Sequence, residues 1–489
     1  MTGLLLIVLV VAPALAAFGS LVGRNARFAE GVNLAAGVVS FAASVWLVVR
    51  AAGAQAHTWW ASYILLDVTG AWVILCGAVV YLLASIYAVG YMRLLGEEER
   101  LPRFYALFAA FALTIFVGPL MNNAGLYWIA IELTTLVSTF LVAFEREAGS
   151  MEAAWKYIIV VSAGISVALL GTVILYWGGS LVLGPTYDLT WETLRRAAPR
   201  INPAILTLAF LLVLVGYGTK VGLAPMHTWL PDAHSESPAP VSAMLSGALL
   251  NAAMLGIVRY LSIVDAANVG GLPRGAFIGL GLFSVFVGAF FIVRQRGVKR
   301  LMAYSSVEHM GIMALGFGFG GPLGVAGALY HMLNHSLNKS LMFFGAGNAM
   351  RAYRTKRITA ITDVMDRFPA QGGLWLAGAA AITGAPPFGL FLSELMILRA
   401  GFHGHYDWIV YAMAVLLIVI FIGFLNHFRV MYFEEPQGGG RRTEAAPSAW
   451  CVAPMWLAFL PLLAFGVWWP ASFTSYFSLV SQALSGMRP

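Results

Sequence analysis

The chain has 489 residues, of which 60% are hydrophobic, and only 51 carry a formal charge (29 Lys plus Arg and 22 Asp plus Glu), or 10%. Globular domains usually carry about 25% charged residues, so this composition excludes a soluble fold. Two distant cysteines in apolar runs, Cys76 and Cys451, exclude a disulfide framework or an iron–sulfur cluster, and no redox centre or other cofactor is expected in the chain. The net charge of +7 does not indicate nucleic acid as a partner, because the basic residues lie in short loops between apolar runs.

Fourteen apolar segments approach the length of about 20 residues that a bilayer requires. They tile the chain and leave no room for a soluble domain. The sequence therefore predicts an all-α polytopic membrane protein with a single membrane domain over residues 1–489. The predicted spans are 3–23, 31–50, 62–91, 104–121, 124–144, 155–180, 203–232, 239–262, 274–293, 300–319, 322–350, 371–398, 406–432 and 450–473.

The basic residues predict the orientation, because Lys and Arg near span ends are retained on the cytoplasmic side. Links after odd-numbered spans hold 19 of the 29 basic residues, whereas links after even-numbered spans and the C-terminal tail hold 8. Both termini are therefore expected on the outer face of a prokaryotic cytoplasmic membrane. The two remaining basic residues, Lys220 and Lys339, lie inside spans seven and eleven.

Lys220 lies 17 residues into span seven, too deep to reach a headgroup easily. Such a charge costs about 2.5–3.5 kcal/mol on insertion scales unless it is partnered or hydrated. Glu132 in span five is a buried carboxylate that would form an intramembrane acid–base pair with Lys220. A proton carrier must be able to lose its proton, which a lysine can do more easily than an arginine. The alternative is a structural ion pair that only fixes helix packing.

Span eleven carries His331, His335 and Lys339 at a spacing of four, so all three lie on one stripe of the helix. Glu308 and His309 lie in span ten. Several titratable groups along one stripe of a membrane helix indicate a proton relay rather than satisfied core residues. Two histidines at i and i+4 can also bind zinc, but no carboxylate stands within this local motif, and no metal site is expected.

Two spans contain helix breaks beside their charged residues. Pro225 interrupts span seven near Lys220, and Pro386 and Pro387 interrupt span twelve near Glu394. Breaks in corresponding positions indicate a transport pathway built on two inverted repeats of five helices each. The predicted parts are N-terminal helices one to three (1–100), a first repeat (101–262), a second repeat (270–435), and helix fourteen with a C-terminal tail (449–489).

One long motif carries a family resemblance. The run KVGLAPMHTWLPDAHSESPAPVSA, from Lys220 through His227 and His234, resembles the proton-pumping antiporter-like subunits of complex I, which are related to Mrp cation/proton antiporters. Within this family, KRLMAYSSVEHMG and HMLNHSLNKS are most similar to component F of hydrogenase-4-type complexes. The resemblance implies fourteen core helices, two inverted five-helix repeats, broken helices seven and twelve, and both termini on the outer face.

The resemblance also implies a role in proton translocation for each buried group. One pair is at the input of the proton path, other residues form its central connection, and one lies on its exit side. One position departs from the family pattern. Many complex I relatives have Lys or His in span eight, where this chain has Asn251, which can hydrogen-bond water but does not titrate near neutral pH. The predicted proton-translocation residues are Glu132 and Lys220 (input), His331, His335 and Lys339 (centre), Glu394 (exit), and His227, His234, Asn251, Glu308 and His309.

The leading hypothesis is a subunit that moves protons, with sodium ions as the alternative cargo, when a partner's redox reaction shifts the charge on its buried pairs. The chain itself is expected to catalyse no redox step. The alternatives are a subunit of an Mrp-type Na+/H+ antiporter, a proton-channel subunit coupled to inorganic-carbon uptake, and a scaffold that no longer conducts, which Asn251 favours. The expected partners are other antiporter-like and small membrane subunits, a soluble redox module of the hydrogenase or NADH dehydrogenase type, and the lipid bilayer.

Overall fold

The computed structural model describes residues 2–23, 25–53, 57–60, 62–94, 96, 98–434 and 447–485, and most of these residues are helical. A two-stranded antiparallel hairpin, β1 (His57–Trp59) and β2 (Ile64–Leu66), precedes the third helix. The α-helices in chain order are α1 (Thr2–Gly23), α2 (Ala26–Ala52), α3 (Val68–Arg93), α4 (Leu101–Leu120), α5 (Ala124–Val142), α6 (Ala148–Leu183), α7 (Trp191–Ala197), α8 (Pro203–Val221), α9 (Trp229–Glu236), α10 (Ala239–Met244), α11 (Leu250–Ala266), α12 (Leu272–Val293), α13 (Val298–Phe319), α14 (Gly321–Tyr353), α15 (Val364–Arg367), α16 (Pro369–Ile382), α17 (Gly389–His403), α18 (Asp407–Phe433), α19 (Ala449–Val467) and α20 (Ala471–Ser485).

The predicted all-α polytopic architecture is confirmed. Each predicted span overlaps a helix or a pair of broken helices, and eleven helical segments of the described chain are long and apolar enough to cross a membrane. The helices outside that set include α13, α14 and α17, which carry the central and exit residues of the expected relay. The total of fourteen spans and the two inverted repeats remain predictions.

Several local features differ from the prediction. The sequence predicts span three from residue 62, but α3 begins at Val68, because Asp67 caps the helix by accepting from the N–H of Gly70 at 2.7 Å. The predicted loop from Leu181 to Asn202 contains the short helix α7, and the C-terminal tail contains α20. Most of the predicted link between α18 and α19, residues 435–446, lies outside the described residues.

Small residues allow α6 and α8 to approach each other closely. Gly171 of α6 lies against the backbone of Ala209 and Val213, and Gly216 of α8 lies against the backbone of Ala168. Helices in membranes associate largely through such van der Waals contacts, since lipid is as apolar as their side chains. This packing positions the end of α8, where Lys220 is located.

Helices α11 and α14 lie in the interior of the molecule, whereas α1 and α18 expose apolar side chains. Nearly every residue of α14 from Gly324 to Ala349 is buried. By contrast, Val415, Ile418 and Ile422 of α18 are each about 60% exposed, as expected of a surface that faces lipid or another membrane protein. The polar stripe of α14 is therefore surrounded by protein.

Candidate functional site

Lys220 lies near the end of α8 and has no exposed surface. The helix ends at the next residue, because Gly222 adopts a left-handed conformation (φ 80°) that closes the last turn. The lysine Nζ donates to the hydroxyl of Thr135 at 2.8 Å and to the hydroxyl of Tyr157 at 3.0 Å. Two hydroxyl oxygens therefore hold the buried amine.

Glu132 lies half-buried on α5, one turn before Thr135. Ser162 of α6 donates to its Oε1 at 2.6 Å, and Thr135 donates to its Oε2 at 3.2 Å. Since a threonine hydroxyl has one hydrogen, Thr135 gives that hydrogen to Glu132 and accepts from Lys220. The expected acid–base pair is thus joined through the Thr135 hydroxyl.

His227 and His234 follow the break that separates α8 from α9. The His227 ring lies near Phe291 and Tyr304, at centroid distances of 6.5 and 6.0 Å. His234 is fully buried and stacks on Phe343 of α14 at 5.0 Å. Neither nitrogen of the His234 ring has a hydrogen-bond partner among the described residues. His234 therefore borders the central helix with both nitrogens unused.

Asn251 lies at the start of α11, directly after a π-helical turn at Leu245–Leu249. Its Nδ2 donates to the carbonyl of Gly247 at 2.9 Å and to the hydroxyl of Ser336 on α14 at 3.0 Å. Because a carbonyl oxygen only accepts, the bond to Gly247 fixes the orientation of the amide. The amide Oδ1 has no partner in the described part of the chain. Asn251 thus supplies one unused acceptor beside α14.

Lys339 and Glu308 lie at the interface of α13 and α14. The Lys339 Nζ donates to the carbonyl of Met302 at 3.0 Å and to the hydroxyl of Ser305, both on α13. Glu308 is 1% exposed and packs against Gly288 of α12. Its Oε2 is without a hydrogen-bond partner in the described structure.

His309 and His331 share a hydrogen bond whose direction follows from a serine. The Nδ1 of His309 lies 2.8 Å from the Nε2 of His331, and the Nδ1 of His331 lies 2.9 Å from the hydroxyl of Ser393. Ser393 donates its single hydrogen to the carbonyl of Leu390 at 2.7 Å, so it accepts from His331. If both rings are neutral, His331 carries its proton on Nδ1 and His309 donates from Nδ1. The chain of donors therefore runs from His309 through His331 to Ser393.

His335 is close to this chain but not bonded to it. Its ring centroid lies 5.3 Å from that of His309 and 6.4 Å from that of His331. Neither nitrogen of His335 finds a partner within the described residues. Three of the five predicted histidines, His309, His331 and His335, are thus neighbours, and the first two are directly hydrogen-bonded.

Glu394 lies on α17, next to Ser393, and is 6% exposed. Its carboxylate packs against Gly384 (φ 68°) in the break between α16 and α17, where any side chain at position 384 would collide with it. One ligand atom from each of His309, His331 and Glu394 lies within 4.8 Å of the other two. The acid expected on the exit side therefore adjoins the histidine pair.

A polar cavity of about 490 Å³ opens at the end of the molecule where α14 ends. Its walls include Glu145, Glu236 and Arg351, which belong to links predicted on the cytoplasmic side. Lys299, only 3% exposed, also lines it and donates to the carbonyl of Ser237, three residues beyond His234. The cavity thus reaches the segment that carries His234.

The hydroxyl groups of the site were not predicted from the sequence. Thr135, Tyr157, Ser162, Ser305 and Ser393 all bind a predicted residue directly. Hydroxyl residues are common in membrane helices, so their presence alone is a weak signal. The available clue was position: Thr135 is one turn from Glu132, and Ser393 adjoins Glu394.

A family profile and a known relative each match more than half of this chain. The profile described as NADH:quinone oxidoreductase/Mrp antiporter, transmembrane, matches residues 122–420. A hydrogenase-4 component F homolog from Methylacidiphilum infernorum is 37% identical over 385 residues, covering 78% of this chain and 79% of the relative. The sequence likeness therefore includes nearly all of the polar residues described above.

Solved structures share the fold. A chain of the membrane-bound sulfane sulfur reductase, an archaeal respiratory membrane complex, superposes with a TM-score of 0.87 at 22% identity, covering 99% of this chain and 97% of that one. A chain of the Mrp complex from a Dietzia species gives a TM-score of 0.87 at 18% identity, with the same coverage. Both are membrane subunits within larger complexes.

Proposed function

Because the chain belongs to the family of NADH:quinone oxidoreductase and Mrp antiporter transmembrane subunits, we propose that it carries protons across the membrane along its buried polar side chains. It is an antiporter-like integral membrane subunit, and subunits of this kind assemble with other membrane subunits. In this proposal the cargo is the proton and the route is the set of buried polar side chains. The driving reaction is a redox step in a partner protein.

The observation that carries the proposal is the placement of three bonded groups of titratable side chains, all of them buried except the half-buried Glu132. Glu132 and Lys220 share Thr135, Lys339 is held by α13, and His309 is bonded to His331. His234 and Asn251 contact α14, His335 lies on it, and each of the three has an unused polar atom. Unpartnered buried polar groups are costly, and bridging water is the usual remedy.

The first step is a change at the input pair. Glu132 is half-buried at the side of the bundle, where a neighbouring subunit can alter its surroundings. Because Thr135 is bonded to both residues, a shift of Glu132 changes the hydrogen bonds of Lys220. A lysine that loses a nearby acceptor releases its proton more readily, and that proton passes to water.

The later steps run from Lys339 to Glu394. A proton that reaches Nε2 of His309 allows this ring to release the proton on Nδ1 to Nε2 of His331. His331 then releases the proton on its own Nδ1, and the carboxylate of Glu394, which lies within 4.8 Å of the histidine pair, takes it up. The breaks near Lys220 and Glu394 supply polar backbone where protons are taken up and released. The charged cavity near His234 is the proposed uptake side.

Replacing Lys220 with Met tests the proposal. In the intact complex reconstituted into vesicles, Lys220→Met should abolish redox-driven proton uptake while the complex still assembles, because methionine has similar bulk but no titratable amine. Lys156→Met is the matched control, since Lys156 is half-exposed and pairs with Glu152 at the surface. Unchanged proton uptake in Lys220→Met would overturn the assignment.

A subunit of a gradient-driven antiporter is the second candidate, favoured by the Mrp component of the family and by the Mrp structure that shares the fold. The same residues would serve both functions. Proton uptake that persists without an electron donor, and that depends on a sodium gradient, would support this candidate over the first.

A further inference from the structure

Three side chains from three helices converge inside the molecule with their ligand atoms close together. They are His309 of α13, His331 of α14 and Glu394 of α17, and one ligand atom of each lies within 4.8 Å of the other two. The histidines are fully buried and Glu394 is 6% exposed. Two imidazole nitrogens and a carboxylate oxygen are the donor set of many zinc sites that have three protein ligands.

The hydrogen bonds around the histidines leave a lone pair available for a metal. Ser393 donates to Leu390, so its oxygen accepts the Nδ1 proton of His331, and the neutral ring then has a bare Nε2. Metal-binding histidines commonly have this arrangement, in which the second ring nitrogen donates to an oxygen that fixes the ring. Ser393 therefore already fills the supporting role that a zinc site requires.

Each of the other two residues also has one atom without a hydrogen-bond partner among the described residues. Glu394 Oε1 has no hydrogen-bond partner in the described residues. His309 bonds to His331 through Nδ1, and its Nε2 is unpartnered in the same part of the structure. The proton on Nδ1 of His309 can therefore move to Nε2, which leaves Nδ1 bare and facing Nε2 of His331.

We propose that His309, His331 and Glu394 bind one divalent transition-metal ion of the zinc class, which takes the place of the proton shared by the two histidines. For metal–nitrogen distances of about 2.0–2.1 Å in a tetrahedral site, the two nitrogens must separate from 2.8 Å to roughly 3.3 Å. Small rotations of the two rings provide this separation. Glu394 closes onto the metal from the third side, and a water molecule takes the open position.

A metal site at this place is a property beyond the proposed transport function. A bound ion would interrupt proton transfer between the two histidines. The ion occupies both lone pairs through which the histidines would pass a proton. The protein would then be reversibly closed by zinc at the central pair, without any effect on the Glu132–Lys220 pair. Because the ligands must be deprotonated, affinity should fall as the pH decreases.

Direct binding measurements test the site without any transport assay. The purified protein in lipid nanodiscs is treated with a chelator and then equilibrated with Zn²⁺, and bound metal is counted by elemental analysis. Co²⁺ serves as a second probe, since its visible absorption distinguishes tetrahedral from octahedral coordination. We expect one tightly bound ion per chain, a tetrahedral Co²⁺ spectrum, and a higher unfolding temperature with Zn²⁺.

Two groups of variants separate this site from surface binding. His309→Gln and Glu394→Gln should lose the tight ion, and Ser393→Ala, which retains all three ligands, should weaken binding about tenfold or more. The double variant His403→Ala with His405→Ala removes the histidine at the end of α17 and the one in the turn before α18, and it should bind as the wild type does.

The proposal fails if the wild type holds no stoichiometric Zn²⁺, or if His309→Gln, checked for folding by its unfolding temperature, binds as tightly as the wild type. It also fails if the His403/His405 variant alone loses the ion. Because the binding assay uses no proton gradient, this failure can be distinguished from failure of the proposed transport function.

Discussion

At the scale of single residues, the direction of the His309–His331 hydrogen bond depends on a side chain that does not titrate. Ser393 can accept from His331 only because its hydrogen is given to Leu390. That assignment places the bare nitrogen of His331 toward His309. Ser393 is thus a positioning residue for the His309–His331 pair, and it does not itself carry a proton.

Ser393→Ala should slow proton transfer about tenfold, since loss of one buried hydrogen bond to a ring costs about 1.5 kcal/mol. The alanine leaves the Nδ1 of His331 without its acceptor, so both tautomers become accessible. The measurement is proton uptake in vesicles, together with nitrogen NMR of the histidine tautomers in labelled protein.

Ser393→Thr is the matched control, because it restores the hydroxyl and should recover most of the uptake. A purely structural role for Ser393 predicts that tautomer signals are the same in wild type and Ser393→Ala. Equal uptake and equal tautomer signals in the two proteins would exclude the positioning role.

The sequence predicted the titratable residues of the site but not the groups that connect them. A charge inside an apolar run is conspicuous, which is why Lys220, Lys339 and Glu394 were found without a structure. The neutral partners Thr135 and Ser393 are ordinary residues of membrane helices, and only tertiary packing identifies their bonds. The approach of Glu394 to the histidines likewise joins helices that are distant in the chain.

At the scale of helices, α8 is positioned by its close contact with α6. Gly216 of α8 is buried against the backbone of Ala168, so that a methyl group at this position would overlap it. The contact lies one turn before Lys220, so the packing of α8 against α6 helps to position the lysine. Helix breaks were predictable from Pro and Gly, whereas the π-helical turn before Asn251 has no comparable sequence signal.

Gly216→Ala should destabilise the protein by about 1–3 kcal/mol, because the added methyl group overpacks a backbone contact that cannot relax by side-chain rotation. The check is the unfolding temperature of the purified protein in detergent. Gly279→Ala in α12 is the control, since nothing lies within 4 Å of the methyl group it adds. In a helix this change should be neutral or stabilising by about 0.5–1 kcal/mol. Equal unfolding temperatures for the two variants would contradict the packing argument.

At the scale of the whole molecule, the few charged residues fall into two groups, those near the ends of helices and those buried within the bundle. Most charged residues lie in links and at helix ends, where their uneven distribution predicts the orientation. A few, among them Lys220, Glu308, Lys339 and Glu394, are buried within the bundle, on helices α8, α13, α14 and α17. Hydropathy alone predicted the membrane architecture, while the interior position of α14 required the structure.

In the proposed function, protons pass through the interior by way of residues that bind and release them. Lys339 is the most direct test, since it is fully buried and its Nζ contacts neutral oxygens of Met302 and Ser305. Lys339→Arg keeps a positive charge but scarcely releases a proton, and Lys339→Met removes the charge. A structural charge would tolerate arginine, whereas a proton carrier would not.

The measurement is the number of protons taken up per electron transferred by the intact complex in sealed vesicles, with assembly verified for each variant. Both Lys339→Arg and Lys339→Met should lower this ratio, while Lys156→Met should leave it at the wild-type value. A wild-type ratio in Lys339→Met, or full activity in Lys339→Arg, would contradict the proposed function.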